Sequence, residues 1–198
     1  MLKLGDCKVV FAAVGLVGVL LLASPSLGLV LHFPAGEKFS ELWVLGSGRK
    51  AENYPFNVTA DVDYLVYLGV GNHMGSSAFY DVVVKFRNQS EPLPNATAGT
   101  PSPVAPLYTY RVFVEDSESW EAPLTFSFSY VSHGAGWCLV RSLAVNGVTF
   151  EVDKFTAWDA ENNGFFYEVF AELWIYNVAS NGIQFHNRFV GLWLNMTG

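Results

Sequence analysis

The chain has 198 residues, of which 51% are hydrophobic, 16% aromatic and only 15% charged; this excludes a disordered chain, collagen and a coiled coil. With 11 Lys and Arg against 18 Asp and Glu the formal charge is −7, so no basic stripe is available for a phosphate backbone and nucleic acid is not an expected partner. One domain plus an appendage fits this length, whereas two full-sized domains do not.

The appendage comes first. Val9 to Leu31 is a run of 23 residues without a charge, enough helix to cross a hydrocarbon core of about 30 Å. Lys3 and Lys8 precede the run and Glu37, Lys38 and Glu41 follow it, which puts the N-terminus in the cytoplasm and the remainder outside the cell. Val9 to Ala23 followed by Ser24-Pro25-Ser26 also reads as a signal peptide with its cleavage region. Because the apolar run resumes at Leu27 to Leu31, residues 1–33 are taken as an uncleaved single-pass anchor, with the signal peptide as the alternative. Residues 34–198 are then an extracellular domain.

Alternation with period two dominates that domain. Tyr64 to Val70 is apolar on both faces, as a central strand is. In the segment from Tyr80 to Arg87, Tyr80, Val82, Val84 and Phe86 point inward while Asp81, Lys85 and Arg87 point out. Gln89 to Leu107 holds five of the nine prolines and reads as a mobile Pro-rich loop between strands. Strands resume at Tyr110–Glu115 and at Leu124–Tyr130, where Leu124, Phe126, Phe128 and Tyr130 line one face and hydroxyls the other. Val148–Asp153 repeats the pattern. Phe166 to Ile175 fits both helical and strand spacing; its β-branched and aromatic residues favour a strand. Asn146-Gly147, Asn163-Gly164 and Asn181-Gly182 lie between apolar runs and predict hairpins. Eight or nine strands without a convincing helix beyond the leader read as a mainly β fold, an antiparallel β-sandwich.

Four N-x-[ST] acceptors follow the leader, at Asn57, Asn88, Asn95 and Asn195, and with an export signal they make N-linked glycans expected, first at Asn88 or Asn95 in the loop. Cys7 and Cys138 lie on opposite sides of the proposed membrane, so no intramolecular disulfide is expected and Cys138 reads as a packing residue. Asp159-Ala160-Glu161-Asn162-Asn163-Gly164 begins like a calcium loop, but its twelfth position is Phe170 where a bidentate Glu belongs, so it reads as a solvated turn. His32, His73, His133 and His186 show no metal-ligand spacing. Glu168 and Glu172 share one side of a strand and read as a polar face. No nucleophile elbow, zincin or phosphate-loop motif occurs, so no catalytic residue, metal or cofactor is expected.

Glu41-Leu42-Trp43-Val44-Leu45-Gly46, Ala51-Glu52-Asn53-Tyr54-Pro55 and Val70-Gly71-Asn72-His73, with Leu192-Trp193-Leu194 near the end, resemble an archaeal membrane-protein family known as domain of unknown function 1616. The resemblance covers residues 37–90 best. It implies an immunoglobulin-like extracellular β-sandwich on a membrane anchor and brings no catalytic residues with it. Trp43, Trp120, Trp137, Trp158, Trp174 and Trp193 exceed what one core needs, so some belong at a contact surface, at least two of them gathered in one exposed patch. The expected function is a non-catalytic interaction or accessory subunit at an archaeal cell surface, partnered by the membrane and by other surface proteins in a complex, surface layer or filament. A carbohydrate-binding module is the alternative, and a metal-dependent ectoenzyme is a more distant one.

Overall fold

The computed structural model describes residues 8–19 and 37–197. Residues 8–19 form one helix, α1, and among the described residues no helix is long and apolar enough to cross a membrane. The second half of the uncharged run, residues 20–31, lies outside the described residues, as does the region read as a cleavage site. The body, Phe39–Gly198, is a separate compact unit.

Ten strands build the body: β1 (Phe39–Leu45), β2 (Asn57–Val58), β3 (Tyr64–His73), β4 (Ala78–Asn88), β5 (Pro106–Val114), β6 (Ser119–Gly134), β7 (Trp137–Val145), β8 (Val148–Ala157), β9 (Phe166–Asn177) and β10 (Gly182–Met196). They form two five-stranded sheets, ordered β1-β3-β6-β7-β8 and β2-β10-β9-β4-β5. Every pairing is antiparallel except that of β2 with β10, which is parallel. The alternating residues do what their spacing predicts. Val66, Leu68 and Val70 of β3 and Leu124, Phe126 and Phe128 of β6 are buried in one core with Val82, Val84 and Phe86 of β4 and Tyr167, Val169 and Leu173 of β9. Phe86 and Phe128 meet across the sheets at 5.6 Å, and the Tyr167 hydroxyl spans the same gap to donate to the Cys138 carbonyl at 2.9 Å. Burying each such aromatic is worth roughly 2–3 kcal/mol.

The ambiguous segment is a strand, β9, buried on both faces. Asn146-Gly147 makes a tight β7–β8 hairpin with φ of 48° and 79°, the left-handed pair that a type I′ turn requires. Asn181, at φ 51°, turns β9 into β10. Asn163-Gly164 ends a turn that closes a single antiparallel bridge, Asp159 with Gly164, and goes no further as a hairpin, because β8 and β9 belong to different sheets and the turn carries the chain between them. Tyr130 also departs from expectation. Its φ of 53° breaks the alternation of β6 without shifting the β6–β7 register and leaves the residue 75% exposed, since a left-handed residue inside a strand turns its side chain off the face that its spacing assigns.

The motif residues near the start of the body serve packing. Trp43 lies over Gly69, where any Cβ would strike the indole. Asn72 is fully buried: its Nδ2 donates to the carbonyls of Ser76 and Val114, both at 2.9 Å, and its Oδ1 accepts from the Met74 amide at 3.1 Å and the Tyr80 hydroxyl at 3.0 Å. Having given its one proton to Asn72, the Tyr80 hydroxyl accepts from Ser40 Oγ, 2.7 Å away. Ser40 in turn accepts from His186 Nε2, at 3.0 Å, which fixes the imidazole tautomer. A bulge between Phe185 and Arg188 in β10 aims His186 at this chain. Burial first, and Arg188 second, hold the His186 pKa below its ordinary value.

Candidate functional site

The register of the second sheet sets four rows across its outer face: Asp81 beside Trp174 and Phe185, Val83 beside Glu172 and Phe189, Lys85 beside Phe170 and Gly191, Arg87 beside Glu168 and Trp193. By alternation these side chains point away from the core, as the sequence requires, yet Lys85 and Arg87 are each only 4% exposed. The cause is the Pro-rich segment. Instead of standing off the body, it lies on this face with Pro94, Ser102 and Val104 buried.

Two ion pairs clasp it there. Lys85 Nζ sits 2.9 Å from Glu172 Oε2 and donates to the Ser102 carbonyl at 2.7 Å, while Glu172 Oε1 accepts from the Ser102 amide at 2.7 Å. Trp174 Nε1 gives Glu172 a third donor, at 3.0 Å. Further along, Arg87 Nε donates to Glu168 Oε2 at 2.7 Å and its Nη1 reaches the backbone carbonyls of Asn88 and Glu91. Gly191 makes room for this pair, because a Cβ there would meet the Glu168 carboxylate. Burial pushes the Glu168 pKa up, against the pull of Arg87. Lys154 of β8 pairs with Glu91 and ties the loop to the other sheet. Glu168 and Glu172 therefore do share a side, but each is consumed by its own cation.

The clasped segment leaves a cleft at either end of the face. One, about 440 Å³, lies between Trp174, Ile183 and Val83 and a wall formed by Pro101 to Pro106. Asp81 stands in it with an Oδ1 that has no hydrogen-bond partner among the described residues; Arg111 Nε is 3.9 Å away, and burial pushes the Asp81 pKa up.

The other cleft, about 400 Å³, is lined by Phe56, Gln89, Asn162, Phe166 and Trp193. Phe56 and Trp193 are 51% and 42% exposed, and Phe56 packs against Phe166 at 6.1 Å. The Arg87 guanidinium lies 4.8 Å from the centre of the Trp193 ring, so one indole face rests on a cation that Glu168 already neutralises. Gln89 Nε2 and Asn162 Nδ2 both donate to Asp159 Oδ2 at 2.9 Å, and the amides of Glu161 and Asn162 donate to Asp159 Oδ1 at 2.9 and 3.0 Å. These hydrogen bonds lower the Asp159 pKa to about 2. The segment that begins like a calcium loop is thus closed by its own amides, and it positions two side-chain amides at the rim of the cleft.

The sequons fall unevenly. Asn95 and Asn57 are exposed, with Asn57 Oδ1 accepting from Asn195 Nδ2 at 3.1 Å. Asn88 spends its Nδ2 on the Phe155 carbonyl at 2.8 Å. Cys138 is fully buried and burial raises its thiol pKa. His73 stacks on Phe39 at 4.6 Å, His133 neighbours Phe165 at 5.5 Å, and no group of metal-ligating side chains exists among the described residues; His32 lies outside them. Trp158 and Trp193 are the tryptophans more than a third exposed. Trp158 packs edge-on against Phe165 at 5.0 Å, whereas Trp193 lies on Arg87. Phe56, Gln89 and Asn162 were not grouped by the sequence because their convergence joins the segment just ahead of β2, the start of the loop and the β8–β9 turn.

Residues 34–134, about half the chain, match the family described as "Domain of unknown function (DUF1616)". No curated protein matches. Among solved structures, β-glucosidase from Listeria innocua in complex with isofagomine is 9% identical with a TM-score of 0.43, over 81% of this chain and 16% of that one. Its complex with glucose is 6% identical with a TM-score of 0.42 over the same shares. The chain spans less than a fifth of the length of these enzymes.

Proposed function

We propose that this chain, which belongs to the DUF1616 family, is a non-catalytic, membrane-anchored interaction module displayed at the cell surface, with its contact site on the outer face of the second sheet. The observation that carries the reading is the use of buried charge on that face. Both carboxylates that would be the raw material of acid–base chemistry, Glu168 and Glu172, are locked to Arg87 and Lys85, and these ion pairs hold the walls of the clefts. Pre-formed concave surfaces with exposed aromatic anchors suit recognition. The 23-residue uncharged run and the flanking lysines support an uncleaved anchor with the body outside. An immunoglobulin-like sandwich is supported by β1 and β2 dividing between the two sheets and by β2 running parallel to the last strand. The archaeal setting comes from the motif resemblance, and glycans at the four sequons fit an exported body.

The test is native purification from source membranes after carbonate washing, with intact-mass analysis. The expected result is a chain that stays in the membrane fraction, retains residues 1–33 and is recovered with a surface protein of the same membrane. A soluble form starting between Ala23 and Leu29 would overturn the anchor, and turnover of a substrate by the purified chain would overturn the non-catalytic assignment.

A further inference from the structure

We infer that the cleft between Phe56 and Trp193 binds a neutral saccharide, so that the module recognises its surface partner through sugar; this rests on the interaction reading above and names its ligand. The chemistry of the lining selects the class. Two aromatic rings are half exposed, and the face of an aromatic ring carries the negative end of its quadrupole, which attracts the weakly positive C–H face of a pyranose. Trp193 is held for this role: one face rests on Arg87, itself fixed by Glu168, so the other face is presented without a rotamer search. Beside the rings stand two primary amides, Gln89 and Asn162. Each gives one N–H to Asp159, and neither carbonyl oxygen has a partner among the described residues. Each amide therefore keeps an acceptor and an N–H for a hydroxyl pair. No lining residue is charged, the Asp159 carboxylate already accepts four hydrogen bonds, and Arg87 is matched by Glu168. An anionic ligand would find no free counter-charge, and a cation would find only Asp159, whose oxygens are already taken by N–H donors. A lipid chain would leave the amides unsatisfied, whereas a neutral ring with an apolar face and a hydroxylated edge uses every group present. About 400 Å³ accommodates a short stretch of such rings.

The saccharide has two possible sources, a glycan on another molecule or the glycan of this chain's own Asn57, which directly follows Phe56 and is exposed at the same end of the sheet. The experiment uses the full chain in detergent, titrated with neutral gluco-, manno- and galacto-oligosaccharides and read by tryptophan fluorescence and calorimetry. Trp193→Ala and Phe56→Ala are expected to weaken the best probe at least tenfold. Trp193→Phe keeps a ring and should retain part of the affinity, and unfolding curves of all variants check the fold. Affinity that is unchanged in Asn57→Gln supports the site and assigns it to an external glycan. Affinity that appears only in Asn57→Gln supports the site and assigns it to the chain's own glycan. Absence of saturable binding in both backgrounds, or equal binding by parent and folded Trp193→Ala, overturns the inference. Partner recovery from membranes that is indifferent to Trp193→Ala and to glycosidase treatment would overturn it while leaving the interaction reading intact.

Discussion

Replacing Glu172 by Gln should be among the most damaging single changes in the body, because it removes one ion of a pair that water does not reach. At 2.9 Å the gross attraction at an effective dielectric constant near 20 is about 6 kcal/mol. Desolvation of both ions cancels much of that, so the pair itself adds little relative to two apolar residues, but breaking it strands Lys85 in a buried site and costs about 3–5 kcal/mol. The new amide still accepts from Ser102, yet its NH2 meets the Lys85 ammonium or the Trp174 indole N–H, donor against donor. Against a domain stability of roughly 5–15 kcal/mol this is a large fraction. Equilibrium urea unfolding of the full chain, followed by tryptophan fluorescence, should show the loss, and the 89–107 segment should become the first site of limited proteolysis. Lys85→Met combined with Glu172→Gln should recover at least about 1–2 kcal/mol relative to Glu172→Gln alone. A single variant within about 1 kcal/mol of the parent, or a double variant that is simply additive, would refute the clasp.

Asn72→Ala should cost about 3 kcal/mol or more in the same assay, since it orphans the Met74 amide, the buried Tyr80 hydroxyl and the buried Val114 carbonyl at once. The His186 pKa is depressed in the fold, so above the unfolded value near 6.5 its contribution is intact, and stability should fall as pH drops below that value through the folded pKa. Glu168, with a raised pKa, contributes the opposite slope in the more acidic carboxylate range. The parent-minus-His186→Asn difference in melting temperature between pH 7.5 and 5 isolates the histidine; a pH-independent difference would contradict the assignment. Glycopeptide mapping should find Asn95 more fully modified than Asn88, whose amide nitrogen is already engaged, and the reverse order would mean that this hydrogen bond is not kept during export.

Much of the fold was legible because it obeys local rules. Leu124, Phe126 and Phe128 alternate with hydroxyls, and Asn146-Gly147 forces its hairpin. Tyr130 escaped because a single left-handed backbone angle leaves no trace in hydrophobic period. Lys85 and Arg87 read as solvent-facing by parity, and parity was right about direction; what buries them is the following segment, folded back over the face, whose prolines and small residues suggested mobility. Composition registers that Gln89–Leu107 cannot join a ladder, but not that Ser102 finds both charges of an ion pair waiting for its backbone. The aromatic cleft was half visible: an excess of tryptophan pointed to a surface site, while Phe56, Gln89 and Asn162 meet only through long-range topology.

Labelling intact source cells with a membrane-impermeant amine reagent, followed by peptide mapping before and after lysis, tests the surface-module claim most directly. Lys50, exposed on the β-domain, should be modified in intact cells, while Lys3 and Lys8 ahead of the uncharged run should react only once the membrane is opened. Lys50 protected until lysis, or Lys3 and Lys8 labelled together with it on intact cells, would contradict an anchored chain with its β-sandwich outside.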